Sequence, residues 1–351
     1  MKTRLLLPAA LLLQAATCHG FSVVLNPAAG MDPLAQAGFR RAADYWESQF
    51  TDPVTVNLTI GFSALGSNIL AQAGSTRITP TIASTMGVMA SDVTSASDLT
   101  AVSHLPALNS GYFLSFLTQK NTEGGSTAVS LDSDTFLNGA NWYNNAYLAI
   151  TTANAKALGW SAANPAAEDA SITFSSAFSW DFDSSDGVGA GLQDFVGVAI
   201  HEIGHALGFV SGVDAVDYAI THPSDLDPWE VYSVLDLFRY SAAGTLNLAA
   251  GAEAYFSLDG GVTSLGGFST GVYNGDRRQA SHWKDNLGLG IMDPTANPPG
   301  QINTPSELDL LVFDVIGWDL ASNVSPVPEP GSVFGLMGLL GSSLLLRRRG
   351  R

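Results

Sequence analysis

The chain has almost no cysteine. Cys18 is its one thiol in 351 residues, so a framework of disulfides is excluded. Bases are the next shortage: 15 Lys and Arg stand against 32 Asp and Glu, a net charge of −17. Six of those bases (Lys2, Arg4, Arg347, Arg348, Arg349 and Arg351) lie in the two terminal segments. With Glu329 set aside among the acids, the residues between carry nine bases against 31 acids, a charge of −22. That balance argues against nucleic acid and anionic membrane surfaces as partners. It suits calcium binding through carboxylates, although solubility alone accounts for it. No internal repeat is visible, and the roughly 300 residues between the ends form one large domain or two subdomains around a cleft.

The terminal apolar runs are both shorter than the ~20 residues a spanning helix wants. At the start, Lys2 and Arg4 precede Leu5 to Leu13, and small residues follow from Ala15 to Gly20. Residues 1–20 read as a secretory signal peptide, removed by signal peptidase together with Cys18. Ala15-Ala16-Thr17 makes a poor lipid-attachment box. At the other end, Val327-Pro328-Glu329-Pro330 leads into Gly331 to Leu346 and then Arg347-Arg348-Arg349. Residues 326–351 resemble the PEP-CTERM sorting signal of Gram-negative bacteria. The resemblance implies processing by an exosortase-type enzyme and delivery to the cell surface or extracellular matrix. The short helix would be a transient inner-membrane anchor, its basic end cytoplasmic. A plain C-terminal anchor is the alternative.

Between these ends the pattern alternates between strand and helix. Phe21 to Leu25 reads as a strand. Asp32-Pro33 opens a helix with Phe39, Ala43, Trp46 and Phe50 on its apolar face. Val54, Val56, Leu58, Ile60 and Phe62 alternate as in a half-buried strand. Ser75 to Ser103, rich in Ser, Thr and Ala, has no clear pattern. Tyr147 to Thr151 and Ser171 to Phe174 read as strands, with a short helix from Ala153 to Leu158 between them. A helix is expected from about Leu192 to Leu207, burying Phe195, Val196, Ala199, Ile203 and Leu207 and capped by Gly208. The last helix is expected from Pro305 to Ile316, with Thr304-Pro305-Ser306-Glu307 as capping box and Trp318 packing back on the core.

Within the Leu192–Leu207 helix stands His201-Glu202-Ile203-Gly204-His205. Two His four residues apart share one helical face, so both imidazoles can reach one metal ion. The Glu between them can take the proton of a water held there. The match extends through Gly208 as H-E-x-x-H-x-x-G, which points to a zinc hydrolase.

A catalytic zinc wants a third protein ligand and one open position. The position where most metzincins carry a third His is Ser211 here. Asp214 lies three residues further on. Glu230 would serve if a second helix supplied the ligand. His222 precedes Pro223 in an expected surface loop, and His104 has no ligand spacing. His282, in Ala280-Ser281-His282-Trp283-Lys284, is followed by Gly290-Ile291-Met292-Asp293-Pro294. A displaced His, a Trp and a Met-containing turn together resemble the leishmanolysin-like metzincins. The resemblance implies zinc on His201, His205 and His282 with Met292 as an apolar floor, and Asp214 stays the alternative third ligand.

The same resemblance implies an α+β fold: a twisted mixed sheet, a backing helix and an active-site helix, then an irregular C-terminal subdomain with a terminal helix. Residues 21–209 would be the catalytic subdomain and 210–322 the one carrying the third ligand and the Met-turn. The implied activity is that of a zinc metalloendopeptidase acting on proteins or peptides, with Glu202 catalytic. An extended substrate would pair with a sheet edge, for which Ser171 to Ser175 is the expected strand. The competing readings are a non-proteolytic surface or matrix protein on a metalloprotease fold and a zinc hydrolase of exopolysaccharide. A binding-only protein has no need of Glu202, which ranks the peptidase first. Asp181, Asp183 and Asp186 have the oxygen density of a calcium site; an Asp-rich turn before the helix is the plainer reading.

Overall fold

In a computed structural model, residues 20–109, 112–133, 143–160 and 163–322 are described. The signal segment, apart from Gly20, and the sorting segment lie outside them. Among the described residues no helix is long and apolar enough to cross a membrane.

The main sheet has four strands: β1 (Ser22–Pro27), β2 (Thr55–Ser63), β3 (Ala71–Ser75) and β4 (Ala170–Ser175). Their spatial order is β1-β2-β4-β3. The β1–β2 and β2–β4 pairs are parallel, and β3 runs antiparallel along β4. The alternation expected in β2 is present, with Val56, Leu58 and Ile60 fully buried. Helices and a mixed sheet together fit the α+β expectation. One correction concerns the edge. β4, expected to offer a free edge, is paired on both sides; the edge strands are β1 and β3, and β3 is the one that lines a large cleft.

Helix α1 (Pro33–Gln49) starts where Asp32 accepts the N–H of Leu34 at 2.8 Å, with Pro33 in the first turn. It buries Phe39, Ala43 and Trp46 against β1 and helix α2 (Phe195–Leu207). Asp194 caps α2 through the N–H of Gly197, so the helix begins later than Leu192, and Val196 is only half-buried. Gly38 lets the two helices approach, because a Cβ there would stand 2.5 Å from the Phe195 ring. Trp46 Nε1 donates to the Ile200 carbonyl at 3.0 Å and ties α1 to the middle of α2. Gly208 ends α2 at φ +126°, a conformation that favours glycine.

The unpatterned Ser75–Ser103 stretch forms two short helices, Ile82–Ser91 and Ala96–Ser103, capped by Thr81 and Ser95. Of the strand expected over Tyr147 to Thr151, only Ile150–Thr151 is a strand, and the next helix covers Thr152–Ala157.

After α2 come helix α3 (Val213–Thr221) and a small antiparallel sheet. Its strands are β5 (Arg239–Ala242), β6 (Thr245–Leu246), β7 (Tyr255–Phe256) and β8 (Gly266–Gly267), in the order β6-β5-β7-β8. Helix α4 (Glu307–Val315) closes the fold. Its capping box is Ser306 with Asp309, not Thr304 with Glu307, and Pro305 lies just outside the helix. Trp318 is buried as expected: its Nε1 donates to the Leu207 carbonyl at 2.9 Å, and its ring stacks on Phe50. One hydrophobic core runs through both 21–209 and 210–322.

Candidate metal centre

Three imidazoles meet at the foot of a cleft of about 1440 Å³. His201 and His205 stand one turn apart on α2. His282 comes from a turn segment stitched between two neighbours: Ser269 N–H donates to the His282 carbonyl at 3.0 Å, and Trp283 N–H to the Met292 carbonyl at 3.0 Å. The Nε2 atoms of His205 and His201 are 3.0 Å apart, of His205 and His282 3.1 Å, and of His282 and His201 3.3 Å.

The opposite ring nitrogens decide what those Nε2 atoms carry. Nδ1 of His201 lies 2.7 Å from the Ile291 carbonyl, Nδ1 of His205 2.7 Å from the Phe209 carbonyl, and Nδ1 of His282 3.2 Å from the Gln279 carbonyl. A carbonyl oxygen only accepts, so each Nδ1 holds the proton and each Nε2 presents a lone pair. Three lone pairs facing one another repel unless a cation sits among them. Ligand nitrogens at about 2.0–2.1 Å in a tetrahedral set stand about 3.3 Å apart, close to the spacing seen. The residues therefore fit a metal ion, and these three form the metal-competent cluster among the described residues. Burial depresses all three imidazoles, His205 to about 3 and His282 well below the usual range, and for His205 and His282 the neighbouring rings add to the effect.

Glu202 lines the same cleft and is 8% exposed. Burial pushes its carboxyl up to about 8. Below the imidazoles, Met292 is fully buried, and its Sδ lies 2.7 Å from where a Cβ on Gly204 would be. The thioether thus fills the space under the helix turn that carries both His. Trp283 stacks on Phe268 and meets the edge of Phe209.

The other candidates go elsewhere. Asp214 does not join the ligands: its carboxylate accepts the N–H groups of Ala280 and Ser281 and the Ser281 hydroxyl. Ser211 donates to Asp236 at 2.6 Å. Glu230 lines the cleft outside the cluster. His222 is on the surface, stacked on Tyr218 at 4.1 Å, and His104 caps a helix end. Asp181, Asp183 and Asp186, the calcium candidates, do not come together as a metal-competent cluster among the described residues. Asp181 accepts the N–H groups of Asp183 and Gly189, and Asp183 pairs with Arg41 at 2.6 Å, so the carboxylates are spent on a turn and an ion pair. Asp186 is exposed.

Sequence reasoning missed Asp309. This fully buried residue accepts from Trp283 Nε1 at 2.8 Å and from Ile291 N–H at 2.7 Å, besides capping α4. One carboxylate so joins the terminal helix, the His-Trp segment and the Met-containing turn. Only its place three residues after Ser306 signalled anything, and that signal concerns a cap.

No protein-family model matches this chain, and searches of curated proteins and of solved structures give no match either.

Proposed function

We propose that this chain is a zinc metalloendopeptidase of leishmanolysin-like metzincin type, exported and sorted to the cell surface or matrix by its terminal segments. The observation that carries the reading is the convergence of three proton-free Nε2 atoms beside the Glu202 carboxyl on the wall of one cleft. His201, His205 and His282 would hold a divalent ion, which when bound would supply Lewis acidity towards water and a peptide carbonyl, and beside which Glu202 would be drawn back towards ionisation.

The remaining steps belong to the chain. The free edge of β3 lines the cleft and offers backbone N–H and C=O groups to an extended peptide, with little demand on sequence. Glu202 takes the proton from the attacking water and hands it to the leaving amine. The Nδ1–carbonyl bonds hold each imidazole in the tautomer that leaves Nε2 free. Signal peptidase and an exosortase-type enzyme are the processing partners of this reading, and proteins or peptides are its substrates.

The test is hydrolysis of an unstructured protein such as casein. Wild type should cleave it, stop when a chelator is added, and resume with zinc. The E202Q variant should keep the metal and fail to cleave. Equal cleavage by wild type and E202Q would refute the assignment.

A further inference from the structure

Asp214, rejected as a ligand, has a different place at the site. We propose that Asp214, acting through Ser281, is the positioning residue that delivers His282 to the metal. The proposal rests on the reading of His201, His205 and His282 as metal ligands.

Three observations carry it. First, Nδ1 of His282 has the longest of the three carbonyl contacts, 3.2 Å against 2.7 Å for the other two. Its aim therefore depends more on the backbone that carries it. Second, that backbone is gripped by one carboxylate. Asp214 Oδ1 accepts the Ala280 N–H at 2.6 Å, and Oδ2 accepts both the N–H and the hydroxyl of Ser281. Ser281, next to the ligand, in turn accepts the Ser211 N–H at 2.8 Å through its Oγ. Ser211 lies four residues beyond the end of α2, so hydrogen bonds tie the segment that leaves α2 to the neighbour of His282.

Third, the latch is braced by buried charged groups. Asp236 receives the Ser211 hydroxyl at 2.6 Å and the Gly212 N–H at 2.7 Å. Arg239, 1% exposed, donates to the Ser269 carbonyl at 2.8 Å and reaches the Ala280 carbonyl at 3.4 Å. Its guanidinium supplies the positive charge that Asp214 and Asp236 share. The segment is thus fixed on one side by Asp214 and on the other by Asp309. Among the described residues, Asp214 is the group that accepts the N–H of both residues directly before the ligand.

The chemistry of a substitution follows. Asp214→Asn keeps the shape but replaces one acceptor oxygen with an N–H2 group, which would face the N–H of Ala280 or Ser281. Donor would meet donor, and the segment would shift. Metal ligands tolerate distance errors of only about 0.2 Å, and losing a group that orients a ligand typically costs 10–100-fold in metal affinity.

The experiment uses the whole protein loaded with cobalt(II), whose visible absorption is intense in four-coordinate sites and weak in six-coordinate ones. It compares wild type, D214N, S281A, H282A and D217N, each checked for folding by far-UV circular dichroism. Asp217 is the control: it sits on the same helix α3, 1% exposed, and its carboxylate holds Tyr273 and Asn274 instead. Wild type and D217N should share the intense spectrum. D214N should lose intensity towards H282A and bind zinc about 10–100-fold more weakly; S281A should shift in the same direction by less, and it decides the question if D214N does not fold. A wild-type spectrum and affinity in D214N or, failing its folding, in S281A would overturn the proposal. So would an equal change in D217N, because the effect would then belong to the fold. If wild type takes up no cobalt, the metal reading itself falls and the proposal with it; if H282A alone changes, only the latch falls.

Discussion

Asp52 gives a test of the electrostatics far from the cleft. It is 3% exposed, and its Oδ2 accepts the Asp319 N–H at 3.0 Å. Burial, then the Asp319 charge, pushes its carboxyl up to about 8. An unfolded Asp titrates near 3.9. Between those values the native state holds a proton that the unfolded state has lost, so stability falls as pH rises. Glu202, pushed up to about 8, and Asp92 and Asp314, pushed up to about 7, titrate in the same range, so Asp52 is isolated by comparison with D52N. Other groups set the limits of the window. The depressed His201, His205 and His282 make the metal-free protein lose stability as pH falls below their ordinary 6.5. The depressed carboxyls of Asp183, Asp259 and Asp285 act only below about 4. From pH 6.5 to 8, Asp52 should therefore remove about 1.5 kcal/mol, at about 1.4 kcal/mol per proton per pH unit until its own ionisation begins. Urea unfolding in chelator at pH 6.5 and 8 measures this. D52N keeps an acceptor for Asp319 and abolishes the titration, so its loss over the window should be smaller by that amount. The same pH slope in wild type and D52N would refute the reasoning.

Three further outcomes follow from the packing and the site. Lys156 and Asp169 form a buried ion pair, 4% and 1% exposed, and K156M leaves Asp169 uncompensated; it should cost about 3–5 kcal/mol in urea unfolding. G204A places a Cβ 2.7 Å from Met292 Sδ and should destabilise by about 1–3 kcal/mol, with a fall in zinc affinity measured by competition with a chelating dye. E202Q should lower kcat/KM on a peptide substrate by about 10²–10⁴-fold with zinc content unchanged.

What was legible in the sequence was local. His201, Glu202 and His205 lie within one and a half turns of α2, and helical spacing alone puts both His on one face. His282 was reachable because the Trp beside it and the Met-containing turn after it resemble a metzincin pattern, while a metal demands a third ligand. Asp214 was misplaced because its partners, Ala280 and Ser281, are 66 and 67 residues away, and no spacing encodes such a contact. The edge strand was misassigned for another reason. Ala71-Gln72-Ala73-Gly74-Ser75 lacks the β-branched and aromatic residues that mark a strand, whereas Ser171 to Ser175 shows its alternation while lying between two neighbours. At α4, Thr304 and Ser306 are both competent caps, and only the reach of Asp309 back to Ser306 selects the second. The calcium expectation counted oxygens without their donors, which the fold supplies from the loop's own backbone and from Arg41.

The central claim is that His201, His205 and His282 hold one metal ion. Elemental analysis of the purified protein, wild type and H282A, tests it directly. One zinc per chain in wild type, lost in H282A, is the result this account predicts. A wild type that holds no zinc after metal is supplied, or an H282A that keeps a full equivalent with unchanged affinity, would contradict it.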